Sequence, residues 1–115
     1  MQVPVQVTFR DMPVSDAVEA ACWEEAARLE RYYDRVTSCR VVIAESRHRA
    51  GVFEVRIDLA VPGRLLVVTD QPPEDHADSD VFAAVREAFA RARRQLEDYA
   101  RKRRHGPTQP GRKPQ

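Results

Sequence analysis

At 115 residues the chain has room for one domain, and no stretch approaches the ~20 consecutive apolar residues that a membrane-spanning helix needs. The formal charge of +1 hides a division: residues 1–80 hold nine Lys and Arg against fifteen Asp and Glu, a net −6, while residues 81–115 hold ten against three, a net +7. An acidic body with a basic C-terminal third points to a polyanionic partner for that third.

Val3, Val5, Val7 and Phe9 alternate with polar residues and Pro4, the pattern of a strand with one buried face. Pro4 has no N–H for a ladder, which predicts an edge position. Ser15 offers a helix N-cap, and Asp16 and Glu19 follow in a first turn where carboxylates suit the helix dipole. Val18, Cys22, Leu29 and Tyr33 recur at helical spacing, predicting a helix from about Asp16 to Asp34. Cys39, Val41 and Ile43 mark a second strand, and Ser46 to Gly51 its turn. Phe53, Val55, Ile57 and Leu59 form the cleanest alternation in the chain. Pro62-Gly63 predicts a turn into a fourth strand, Arg64–Thr69. An acidic loop at 70–80 leads to a last helix, capped by Asp78, Ser79 or Asp80. Its apolar stripe runs through Phe82, Val85, Phe89, Ala92, Leu96 and Tyr99.

This order, β-α-β-β-β-α, predicts an α+β fold with a four-stranded mixed sheet and two helices on one face. Hairpins set the last three strands antiparallel, and the first helix carries a crossover that sets strand one parallel to strand two. Residues 1–104 are expected to form the single domain and 105–115 a disordered tail. Cys22 and Cys39 lie in apolar surroundings, far apart and outside any CxxC, and are expected to be buried free thiols. Met1–Arg10 shows no charged stretch followed by an apolar run, so a cytoplasmic protein is expected.

Catalysis finds little support. His48, His76 and His105 fall in a turn, a loop and a helix end, without HxxxH, HxH or CxxC spacing. No G-x-S-x-G, P-loop or GxGxxG is present. The carboxylates of the 70–80 loop lack an EF-hand pattern and have a use as helix caps. No enzyme, no metal and no cofactor are expected.

The cations say more. At 100° per residue, with the buried stripe centred on Phe89, Arg91, Arg94, Arg101 and Lys102 point away from the core, and Arg86, Arg93 and Arg104 flank it. Such a row can lie along a phosphate backbone. The bland alternative is a solvated face held by i,i+4 pairs, namely Glu87–Arg91, Glu97–Arg101 and Asp98–Lys102. Arg47-His48-Arg49 adds a basic hairpin tip, and Arg28 and Arg31 add cations on the first helix. Trp23 falls about 120° from that helix's buried centre. There it can stack on a base, meet a protein or cover its own helix.

Leu29-Glu30-Arg31-Tyr32-Tyr33-Asp34-Arg35-Val36 closes the first helix. Asp80-Val81-Phe82-Ala83-Ala84-Val85 opens the second, with Arg94-Gln95-Leu96 two turns on. Over roughly residues 3–104 these segments and the element order resemble the ribosome hibernation-promoting factor family, including its ribosome-associated inhibitor A type. The resemblance implies a sheet with two helices on one face, akin to double-stranded-RNA-binding domains. It also implies a cofactor-free protein that binds rRNA of the small ribosomal subunit near the decoding centre and silences translation under stress. By position it assigns rRNA contacts to Arg28, Arg91, Arg94 and Lys102. With the outward row and the hairpin tip, the expected RNA-binding set is Arg28, Arg47, Arg49, Arg91, Arg94, Arg101 and Lys102. Glu19, Glu25, Glu97 and Asp98 depart from the more basic family pattern and oppose rRNA by charge. A short-form factor, mainly monomeric with room for a weak dimer, is the leading expectation. A protein-interaction module that keeps the fold without binding ribosomes is the rival.

Overall fold

The computed structural model describes residues 4–70 and 80–105. Along the chain come β1 (Val5–Arg10), α1 (Asp16–Tyr32), β2 (Ser38–Glu45), β3 (Phe53–Val61), β4 (Arg64–Asp70) and α2 (Val81–His105). The sheet order is β1-β2-β3-β4, with β1 parallel to β2 and the other pairs antiparallel. This is the expected α+β architecture, and β1 lies at the edge as Pro4 required. Val3, the 71–79 part of the acidic loop with the alternative caps Asp78 and Ser79, and the tail from residue 106 lie outside the described residues.

Local chemistry accounts for the element ends. The Ser15 hydroxyl accepts the Val18 N–H at 3.2 Å, a helix N-cap. α1 stops two residues before the expected Asp34 because Tyr33 turns extended and its N–H closes on the Leu29 carbonyl at 2.9 Å. Tyr33 then meets Tyr99 edge to face, with ring centroids 5.8 Å apart. Pro62 and Gly63 (φ +79°) make the β3–β4 turn, with glycine where a side chain would be strained. Asp80 caps α2, its Oδ1 accepting the Phe82 N–H at 2.9 Å. α2 runs through His105, so the helix takes in the first residue of the stretch expected as tail.

One core lies between the sheet and both helices. Val41, Ile43, Val55, Ile57 and Leu59 rise from the central strands, Cys22 and Leu29 come from α1, and Val85, Phe89, Ala92 and Leu96 from α2. Cys22 and Cys39 are free and buried, and burial pushes both thiols up to about 12. The expected stripe needs one correction. Phe82 is 38% exposed, and Val81, Ala84 and Val85 serve the core at that end. Val85, Ala88, Ala92, Leu96 and Tyr99 place the stripe's centre near Val85 and Ala92, about 40° from Phe89. Phe82 therefore sits about 60° off centre, on the flank of the first turn.

Candidate nucleic-acid interface

α1 and α2 pack side by side with their C-terminal ends at the same end of the sheet, where Tyr33 meets Tyr99 and the Tyr99 hydroxyl donates to the Pro62 carbonyl at 2.5 Å. Between them runs an open groove of about 710 Å³. Arg28, Arg31, Arg86, Arg93 and Arg94 line it, with Glu25 and Glu97 as its acids, a net +3 among the lining residues. Phe89 and Leu29 form its apolar floor. Arg28 pairs with Glu25 at 3.2 Å, and Arg93 pairs with Glu97 at 3.4 Å while lying over the Tyr32 ring at 5.5 Å. Arg31, Arg86 and Arg94 have no ion-pair partner among the described residues. Exposed pairs of this kind contribute only ~0.2–0.5 kcal/mol each, so an incoming phosphate displaces them readily.

The seven expected contact residues divide among four places. Arg28 lies in the groove. Arg94 stands on the ridge of α2, touching both the groove and the flank above β4. Arg101 is farther along that ridge and pairs with Asp98. Arg91 lies on the β4 side of the helix, and helical spacing sets Lys102, eleven residues on, along nearly the same line. Arg47 and Arg49 are elsewhere, on the β2–β3 turn, which the Ser46 hydroxyl shapes by accepting the His48 and Arg49 N–H groups at 3.1 and 3.2 Å. Arg47 pairs there with Asp11 at 3.3 Å. Trp23 is exposed on the flank of α1 away from the groove, and the exposed aromatic ring inside the groove is Tyr32.

None of the three expected i,i+4 pairs is the observed one. Arg93 takes Glu97, Arg101 takes Asp98 one turn back, and Arg91 reaches out of its helix to Asp70 at 2.9 Å. Asp70, at the end of β4, is 8% exposed and is the one buried charged residue described. A carboxylate so placed needs a partner, and removing it leaves a poorly solvated charge. Arg91 is itself half exposed, which tempers the effect. Arg91→Glu is expected to cost about 1–3 kcal/mol, and adding Asp70→Asn should restore most of that. Thermal melts of the two single variants and the double variant measure the coupling; additive losses would show the pair to be incidental.

Among the described residues no group of three or more His, Cys, Asp and Glu could hold a metal ion, and no helix is long and apolar enough to cross a membrane.

A four-stranded sheet backed on one face by two parallel helices defines a fold class, and solved structures share it. The fold matches a ribosomal subunit interface protein from Coxiella burnetii with a TM-score of 0.73 and 15% identity, covering 87% of this chain and all of that one. It also matches the Protein Y N-terminal domain of Thermus thermophilus with a TM-score of 0.66 and 26% identity, covering 86% and 99%. Residues 5–104 match the family described as sigma 54 modulation protein / S30EA ribosomal protein, and the chain belongs to that family. A relative in Deinococcus radiodurans, a ribosome hibernation promotion factor, is 29% identical over 111 residues, which is 91% of this chain and 55% of the relative. The chain thus spans about half the length of that relative.

Proposed function

We propose that this domain binds the small ribosomal subunit through rRNA and blocks the decoding region under stress, acting in the cytoplasm. The observation that carries the reading is the α1–α2 groove: five arginines on two rigid helices, three of them without an ion-pair partner among the described residues. Guanidinium groups spaced along two helices suit a phosphate backbone, and phosphate contacts fix position without reading sequence. The open groove and the exposed Tyr32 ring also admit an unstacked base, the usual target in single-stranded RNA. Family membership and the named relatives support a ribosomal partner. Arg101 and Lys102 extend the cationic ridge, while Arg91 serves Asp70 first and RNA second. Arg47 and Arg49 would make a separate contact at the far end of the sheet.

Chemical footprinting of purified small subunits tests the location. Protection of rRNA around the decoding region, removed by excess mRNA and tRNA, is the expected result. Protection elsewhere, or a footprint indifferent to those competitors, would overturn it.

A further inference from the structure

The two edges of the sheet are built differently. β1 follows Pro4, which has no N–H, and ends at the charged pair Arg10-Asp11. β4 is an unbroken seven-residue ladder, Arg64-Leu65-Leu66-Val67-Val68-Thr69-Asp70, with no proline, no lysine and no bulge in its register with β3. Leu66 and Val68 face the core, while Leu65 and Val67 are 56% and 42% exposed on the sheet face opposite the helices. Every second residue of an outer strand turns its N–H and C=O outward, and such edges are normally shortened, charged or covered. None of the described elements pairs with the outer side of β4.

We propose that β4 pairs antiparallel with β4 of a second copy of this chain, about a two-fold axis through Val67. This joins two four-stranded sheets into one. Charge selects the partner and the register. Facing residues must lie on the same side of the sheet, so only registers of matching parity are open. Among these, only the register centred on Val67 sets Arg64 opposite Asp70 of the other copy, at both ends of the ladder. It also sets Leu65 opposite Thr69 and Leu66 opposite Val68. Arg91 binds Oδ1 of Asp70, leaving Oδ2 to accept a second guanidinium. The flank of α2 above β4 carries Arg91, Arg94 and Asp98, with Arg91 held by Asp70 and Asp98 by Arg101, so the attraction across the axis comes from the Arg64–Asp70 pairs and not from the helices. The α1–α2 groove lies on the other side of α2 and stays open in both copies. The inference rests on β4 alone and is independent of what the groove binds.

Sedimentation of the full chain from about 10 µM to about 1 mM should show the mass rising from 13.1 kDa towards twice that value, as for a weak self-association. Val67→Lys, which sets two ammonium groups face to face at an exposed site, should hold the chain monomeric with its thermal melt unchanged. Val67→Cys should close into a covalent dimer under mild oxidation, because residues directly opposite across an antiparallel pair lie within disulfide reach. Leu65→Cys, facing Thr69, should not. The buried native thiols, pushed up to about 12, stay out of the reaction. A chain that stays monomeric and gives no covalent dimer from Val67→Cys would overturn the proposal, as when the chain's own residues cover the edge. A dimer that Val67→Lys leaves intact would also overturn it, as would Leu65→Cys cross-linking as readily as Val67→Cys.

Discussion

Arg28→Glu combined with Arg94→Glu should abolish co-sedimentation with ribosomal small subunits while leaving the fold intact. The two reversals change the groove lining from five arginines against two glutamates to three against four, so its charge inverts from +3 to −1. Neither side chain belongs to the core. Arg28 surrenders only an exposed pair with Glu25, a loss of ~0.2–0.5 kcal/mol, and Arg94 has no ion-pair partner among the described residues. The melting temperature should therefore move by no more than a few degrees. Binding loses two phosphate contacts and gains two repulsions. The same reversal at Arg10 and Arg40, on the sheet face away from the helices, should do little. If the groove variant still co-sediments, RNA is bound elsewhere and the protein-interaction reading takes its place.

Phe89→Ala should cost about 3–5 kcal/mol, whereas Phe82→Ala on the same helix should cost less than about 1 kcal/mol. Phe89 is buried in the core beneath the groove and Phe82 is exposed on the flank of the first turn, although the two lie seven residues apart on nearly the same helical face. Deleting the buried ring removes its transfer free energy and opens a cavity among Leu29, Val85 and the strands. Urea unfolding followed by far-UV circular dichroism measures both variants. Similar losses at the two positions would place the helix in a different register on the sheet.

That contrast marks where a sequence stops being legible. Strand alternation at Phe53–Leu59 and the stripe of α2 are local patterns, and each has a single way to bury its apolar face. The sheet order follows from two short hairpins and one crossover helix. Helical spacing alone does not say where along its length a helix meets the sheet or which side of the stripe faces a neighbour. Phe82 therefore falls on the predicted stripe without reaching the core, and the spacing is silent on the α1–α2 groove. The cations of the groove were visible singly, Arg28 and Arg31 on one helix and Arg86 and Arg93 flanking the stripe of the other. Their convergence depends on the two helices packing in parallel, which is tertiary. The Asp70–Arg91 pair was hidden for a related reason. Exposed i,i+4 pairs are weak, so a nearly buried carboxylate contributed by a strand out-competes Glu87 for the same guanidinium. Tyr32 adjoins the stripe residue Tyr33 in sequence, yet its ring turns out into the groove under Arg93.

The most direct measurement is co-sedimentation of the unaltered chain with purified small ribosomal subunits at ~50 and ~200 mM monovalent salt. A domain held by several phosphate contacts should bind at the lower concentration and lose orders of magnitude in affinity at the higher, because each contact releases counterions. Binding of equal strength at both concentrations, or none at either, would contradict an rRNA-binding groove between α1 and α2.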